Sequence, residues 1–324
     1  MTAELFHISS PTTFNNICLE TFKFQYEHLP VYRKYCDLIQ KTPNQVNSYL
    51  DIPFLPIEFF KTHELIAQGK TQEVVFSSSG TTGSTTSRHL VASKKLYEES
   101  FFRAFKQFYG EVEGRVILAL LPSYLERKGS SLIYMVDALI KKSNRKQSGF
   151  FLHNHEELYD TLANLKEAGE KPILFGVTFG LLDFIEEYSI AYPDLTVIET
   201  GGMKGRRKEM IREEVHEILS KGFQVHKIHS EYGMTELLSQ GYSKGDGIFY
   251  APEWMKILIR DPNDPFTLLE SGKSGAINVI DLANLYSCSF IATQDLGIRY
   301  PDASFKVLGR FDNSDIRGCN LLVQ

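Results

Sequence analysis

The chain has 324 residues, 43% hydrophobic and 23% charged, which is the mix of a protein that folds around a core and excludes a disordered chain. Thirty-five Lys and Arg against 40 Asp and Glu leave a net charge of -5, without the basic excess that a nucleic-acid-binding surface needs. The length suits two domains or one large α/β domain with an appendage, and the 12% aromatic share suits a large core, with an apolar pocket as the narrower alternative.

In chain order, residues 1–70 read as a helical segment packed on the main domain. Residues 22–39 place Phe24, Tyr32 and Leu38 at helical intervals, and Pro30 is expected to start or interrupt a helix. Residues 51–56 read as an extended, proline-stiffened connector. Val74-Val75-Phe76 predicts a short strand that runs into a hydroxyl- and glycine-rich loop, with an amphipathic helix over 94–108 after it. Further strands are predicted over 115–121, 172–175, 195–198 and 223–228, with helices over 131–140, 156–168 and 208–220 between them. Short apolar strands alternating with amphipathic helices predict an α/β core over 71–245, a mainly parallel sheet covered by helices, with ligands at the carboxyl ends of its strands. After residue 245 Gly, Pro and Asp become frequent, and strands over 255–259 and 275–280 follow without long helices, which predicts a β-rich subdomain over 246–324.

Cys18, Cys36, Cys288 and Cys319 form no CxxC pair, which argues for a reducing compartment and against a zinc cluster. The start has no basic region followed by an apolar one, and the longest apolar run, residues 173–182, is too short to span a bilayer. A cytoplasmic protein without a membrane span is the expectation.

The segment Phe76-Ser-Ser-Ser-Gly-Thr-Thr-Gly-Ser-Thr-Thr-Ser87 carries the most chemistry. Glycines allow a tight turn that exposes amides, and amides with hydroxyls solvate phosphate oxygens. It is not a Walker A loop, since no Gly-Lys-Ser/Thr follows, and a plain turn fits the composition equally. The order of residues adds to this. Ser78-Ser-Gly-Thr-Thr-Gly83 resembles the phosphate loop of the adenylate-forming superfamily of acyl-CoA ligases, peptide adenylation domains and luciferases. His229-Ser-Glu-Tyr-Gly-Met-Thr-Glu236 resembles its tyrosine-glycine-x-threonine-glutamate motif. Thr293-Gln-Asp-Leu-Gly297 with Gly309-Arg-Phe-Asp312 resembles its ribose-binding aspartate and hinge arginine. Within that superfamily, Ser123-Tyr-Leu-Glu-Arg-Lys-Gly-Ser-Ser131 and the tail Asp315-Ile-Arg-Gly-Cys319 resemble the acyl-protein synthetases of bacterial luminescence.

The resemblance implies two half-reactions: ATP and a carboxylic acid, in that family a fatty acid, give an acyl-adenylate, and the acyl group then passes to a thiol for delivery to a partner reductase or carrier protein. It implies that Ser78, Ser79, Gly80, Thr81, Thr82 and Gly83 hold the triphosphate, and that Glu236 holds Mg²⁺. It implies that Thr235 bonds the α-phosphate, Tyr232 and Gly233 lie against adenine with Gly201 and Gly202, and Asp295 takes the ribose hydroxyls. Arg310 is implied for ribose or phosphate oxygens, and Cys319 for the acyl group, its thiol activated by nearby Arg317.

Each role has a plainer reading. Glu236 also fits a helix-start carboxylate, Asp295 a turn residue, Arg310 an exposed ion pair, Gly201-Gly202 a tight turn, and Cys319 a buried small residue. The apolar stretch 175–182 suits an acyl tunnel and core packing equally. The chain ends soon after the hinge motif, so the superfamily's mobile C-terminal domain is expected to be absent, and Lys204, Arg206 and Lys306 are the candidates for its catalytic lysine. Two further functions compete: a ligase that uses a pantetheine thiol directly, and a non-catalytic nucleotide-binding subunit.

Overall fold

The computed structural model describes residues 4–78, 86–122, 129–201 and 210–310. The helices are α1 (Pro11–His28), α2 (Pro30–Leu38), α3 (Phe59–Thr62), α4 (Lys94–Tyr109), α5 (Ser131–Ser143), α6 (His155–Glu167), α7 (Thr178–Glu187) and α8 (Arg212–Phe223). The strands are β1 (Leu55–Pro56), β2 (Val74–Ser77), β3 (Arg88–Val91), β4 (Ile117–Leu120), β5 (Gly149–Phe150), β6 (Ile173–Gly176) and β7 (Thr196–Glu199). They continue with β8 (His229–Tyr232), β9 (Gly241–Ser243), β10 (Phe249–Tyr250), β11 (Met255–Arg260), β12 (Ser274–Asp281), β13 (Phe290–Arg299) and β14 (Phe305–Arg310). Among the described residues no helix is long and apolar enough to cross a membrane.

The chain forms two compact units. The first comprises residues 1–100, 235–239 and 250–324, and the second residues 101–234 and 240–249. This partition runs differently from the boundaries at 70 and 245 expected from sequence texture. Its physical basis in the first unit is the burial of α1 on the C-terminal strands. Gln25 donates to the carbonyl oxygens of Asn284 and Leu285 and accepts from the Ser289 amide. Phe22, Tyr32 and Phe54 pack around the Phe290 ring. Pro30, as expected, interrupts the helical run and stands at the first position of α2.

In the first unit β11, β12, β13 and β14 form an antiparallel sheet in that order. The ten-residue β13 also takes β1, the end of the expected connector, in parallel alongside Ile291 and Ala292. β2 and β3 pair antiparallel, Val74 with Val91 through Ser77 with Arg88. The hydroxyl-rich loop therefore joins two strands of a hairpin, and does not lead straight into α4 as expected. Arg88 to Val91 is too short a strand for its pattern to show behind the Ser/Thr run.

The second unit is the predicted helix-covered parallel sheet. β8, β7, β6, β4 and β5 are parallel neighbours, and β9 closes one side antiparallel. The buried Ile173–Gly176 strand reads as a continuous apolar run because both faces are covered. Its core takes Leu118, Leu174 and Val197 from strands and Leu162, Leu181, Leu219 and Phe223 from helices. The stretch 175–182, read as tunnel or core, is buried from end to end and belongs to this packing: a Cβ on Gly176 would stand 2.5 Å from the Leu181 side chain. One predicted strand is corrected. Residues 223–228 are not a strand, because α8 runs to Phe223 and ends on Gln224 in the left-handed conformation, with the Val225 amide bonded back to Ser220. The strand follows at His229–Tyr232.

Gly222 shows how tightly α8 packs on α7. Alanine there gains about 1 kcal/mol of helix propensity. Its Cβ would stand 2.8 Å from Ile185 Cβ, an atom that no rotamer change moves away. Overpacking of that kind costs about 1–3 kcal/mol. Gly222→Ala is therefore expected to lose about 1 kcal/mol in net stability, read from urea unfolding; a gain would show that α7 yields.

Candidate active site

The hydroxyl-rich loop is pinched at its neck. The Ser78 amide donates to the Ser87 carbonyl at 3.1 Å, and the Ser87 amide donates to Ser78 Oγ at 3.0 Å. Ser78 thus closes the hairpin with the hydroxyl assigned to phosphate. Ser87, which sequence reasoning passed over, is buried and hydrogen-bonds the Glu236 carboxyl. Burial raises the Glu236 carboxyl above the ordinary range; the Ser87 hydrogen bond and the Arg310 charge oppose that shift, and Asp295 adds to it. Asp295 and Arg310 face each other across β13 and β14, and Arg310 Nε stands 3.3 Å from Asp295 Oδ1. Asp295 is a strand residue and not the turn residue of the plainer reading; both lie on paired strands, and the register makes the ion pair that the sequence also offered for Arg310. Arg310 is more than half exposed, so the pair presents a cation to ligands from a fixed backbone.

Thr235 to Ser239 is irregular chain held by buried polar side chains. His89 Nδ1 lies 2.8 Å from the Thr235 carbonyl oxygen, and Asn284 Nδ2 donates to the Glu236 carbonyl oxygen at 2.7 Å. Asp281 accepts from the amides of Leu238 and Ser239 and from the Ser239 hydroxyl. Ser100 and the Trp254 indole complete the cluster on Ser239. Burial pushes His89 down to about 4, so its ring is neutral at neutral pH. Buried hydrogen bonds to these backbone groups hold the segment in one geometry.

In the second unit Tyr232 ends β8, buried, with its ring against Phe249 at 6.2 Å. Gly233 follows where a Cβ would collide with the Glu231 carboxyl group. Gly201, with φ of 75°, follows β7, and its amide donates to Glu199 Oε1 at 2.7 Å. Thr178 donates to the same oxygen. Glu199 and Glu231 interact as like charges: Glu199 is held low by His216 and Thr178 against its burial, and Glu231 is raised to about 8 by burial and by Glu199.

A carboxyl raised in the fold stabilises only while protonated, so the Glu231 contribution is present below its ordinary 4.5 and is lost as pH rises through about 8. Glu231→Gln keeps the neutral shape. The stability advantage of this variant over the parent is expected to grow between pH 5 and pH 9, by up to about 1.4 kcal/mol per pH unit inside that window. Parallel urea-unfolding curves at both pH values would sink the assignment.

Ser79, Gly80, Thr81, Thr82, Gly83, Gly202 and Cys319 lie outside the described residues, as do Lys204, Arg206 and Arg317. The first unit brings together Ser78, Thr235, Glu236, Asp295 and Arg310; Tyr232, Gly233 and Gly201 belong to the second. Among the described residues no group of three His, Cys, Asp or Glu could by itself hold a metal ion. A single buried carboxylate still fits Mg²⁺, which takes one or two carboxylates and fills its sphere with phosphate oxygens and water.

The acyl-protein synthetase family, LuxE, matches residues 7–324. No curated protein matched the sequence. Among solved structures, the chain is similar to ATP-bound MatB from Rhodopseudomonas palustris, with 17% identity, a TM-score of 0.57, and coverage of 76% of this chain and 49% of MatB. The chain thus spans about half the length of MatB. It is also similar to an open conformation of 2-hydroxyisobutyryl-CoA ligase in complex with 2-HIB-AMP and CoA, with 13% identity, a TM-score of 0.68, and coverage of 94% and 70%. The luciferase-like enzyme of the mealworm Zophobas morio matches with 16% identity and a TM-score of 0.50, over 75% of this chain and 59% of that one. These likenesses establish the fold of adenylate-forming ligases, and with a family match over nearly every residue the chain belongs to the acyl-protein synthetase family.

Proposed function

We propose that this protein activates a carboxylic acid, of the long-chain class, as an acyl-adenylate and passes the acyl group through Cys319 to a partner protein. The observation that carries this reading is the set in the first unit: a buried, rigidly held Glu236, hydrogen-bonded at the neck of the hydroxyl-rich loop and within the field of the Asp295–Arg310 pair. Acid activation asks for that set. The carboxylate oxygen attacks the α-phosphorus of ATP, the bond from that phosphorus to the bridging oxygen breaks, and pyrophosphate leaves. Negative charge gathers at one place, and fixed donors and cations must offset it.

Glu236 would hold Mg²⁺, which when bound with ATP neutralises charge on the phosphate oxygens. Asp295 accepts from the ribose hydroxyls, Arg310 binds ribose or phosphate oxygens, and Thr235 bonds the α-phosphate. Ser78 supports the loop residues 79–83, which bind the β- and γ-phosphates. Tyr232, Gly233, Gly201 and Gly202 contact the adenine. In the second half-reaction the Cys319 thiolate attacks the acyl carbon, AMP leaves, and a thioester forms. A partner of the reductase or carrier class then takes the acyl group.

The test is exchange of labelled pyrophosphate into ATP. A fatty acid is expected to stimulate it, and AMP formation without any acid-dependent exchange for a series from acetate to palmitate would end the proposal. A second reading is direct transfer to a pantetheine thiol: the three described cysteines are all buried, which leaves Cys319 or an external thiol as the acceptor. In that case exchange is stimulated but no protein-bound acyl group accumulates.

A further inference from the structure

Two side chains that the chemistry above does not use hold the backbone carbonyl groups of Thr235 and Glu236. His89 on β3 and Asn284 in the turn after β12 are both fully buried. A carbonyl oxygen only accepts, so the 2.8 Å contact with the Thr235 oxygen places the imidazole proton on His89 Nδ1. In the neutral ring Nε2 is then a bare acceptor. By the same reasoning Asn284, whose Nδ2 donates to the Glu236 oxygen at 2.7 Å, turns Oδ1 the other way. His89 Nε2 and Asn284 Oδ1 are both buried without a hydrogen-bond partner among the described residues. The Asn284 side chain stands close enough to His89 to favour the imidazolium form, which places an acceptor next to the ring.

Both residues line one cavity of about 10 Å³, otherwise walled by Leu90, Val91, Leu96 and Leu238 among others. That volume suits a single water. Two acceptors cannot bond each other, and two left bare at full burial are costly. A group with two donor hydrogens satisfies both at once. An ammonium ion or a proton on His89 would do so only by placing a charge in this apolar wall.

We propose that the cavity holds one water that donates to His89 Nε2 and to Asn284 Oδ1, and that the water-bridged pair positions the backbone of Thr235 and Glu236 for adenylation. The positioning half rests on the function proposed above; the water half does not. His89 and Asn284 are positioning residues, acting through the backbone of the residues that meet phosphate and metal.

A crystal structure of the full chain and ¹⁵N spectra of histidine-labelled protein at neutral pH test the water half. Density about 2.7–3.2 Å from both atoms, with His89 protonated on Nδ1 alone, is the expected result. Empty density, a direct Nε2–Oδ1 contact, or the opposite tautomer overturns it. For the positioning half, His89→Ala is expected to lower kcat of acid-dependent exchange about tenfold with KM for ATP and acid within about twofold. His89→Asn, whose amide nitrogen takes the place of Nδ1, is expected to recover to within about threefold of the parent. Asn284→Ala, which leaves the imidazole donor in place, is expected to lower kcat as His89→Ala does and serves if the latter does not fold. Equal losses in the two His89 variants, an undiminished kcat in either alanine variant, or a change confined to KM overturns the positioning role. A parent protein with no exchange at all overturns the proposed function and this role with it, while density and tautomer still decide the water.

Discussion

Glu236→Gln is expected to lower acid-dependent pyrophosphate exchange by about 10²–10³-fold, with the thermal unfolding midpoint within a few degrees of the parent. Glutamine has the shape of glutamate, accepts from Ser87 with its remaining oxygen, and leaves the backbone bond to Asn284 Nδ2 intact. What it removes is charge. Burial already disfavours that charge, and the Arg310 guanidinium is shared with Asp295 at 3.3 Å. A buried carboxylate whose nearest cation is engaged elsewhere is stabilised by a bound divalent ion, and it has no comparable use as a mere structural group. Two readouts separate metal binding from loss of fold. Exchange in the variant should demand a higher Mg²⁺ concentration, and its near-ultraviolet circular dichroism should match the parent. Full exchange in a folded Glu236→Gln protein would move the metal to another residue.

The parallel core was legible because its strands are apolar on both faces: Ile117–Leu120 and Ile173–Gly176 stand out from any amphipathic neighbour. The acidic and hydroxyl residues of the motifs were legible as a set for another reason, the order of three short segments that resemble those of one superfamily. What escaped is what depends on distant chain. His89 meets Thr235 across 146 positions and Asn284 meets Glu236 across 48, so no local pattern marks either as part of the site. Asp295, before Leu296-Gly297, also read as a turn residue, whereas Gly297 is needed within the sheet because a Cβ there would press on Ile277 at 2.7 Å. The strand over 223–228 was predicted from apolar residues that in fact serve two elements. Phe223 closes α8 and Ile228 caps the core beneath β8, while Gln224 turns the chain between them in a conformation that Gln seldom adopts. The hairpin around the hydroxyl-rich loop was hidden because Arg88 to Val91 alternates with nothing; its pairing to Val74–Ser77 is the only signal, and that signal is not local.

The second large effect is expected at Cys319, outside the described residues. Thiols transfer acyl groups as thiolates, so each of the three described cysteines can be judged by how well it could ionise. Cys18, Cys36 and Cys288 are fully buried. Burial pushes the Cys288 thiol up to about 12, and those of Cys18 and Cys36 higher still. At neutral pH each is almost wholly protonated. Cys288 also donates to the Phe290 carbonyl, in keeping with a structural role. With labelled fatty acid and ATP, the parent protein should therefore accumulate a hydroxylamine-labile label, Cys288→Ala should keep it if folded, and Cys319→Ala should lose it by about 10²-fold or more, the scale of losing a nucleophile. Exchange, which precedes the thiol step, should continue in Cys319→Ala, and that separates loss of the acceptor from loss of the nucleotide site. Label that survives in Cys319→Ala would assign the acyl group to another side chain. Exchange without label in the parent protein would leave acceptance to a pantetheine thiol, and then added coenzyme A or carrier protein should collect the acyl group at the rate the exchange allows.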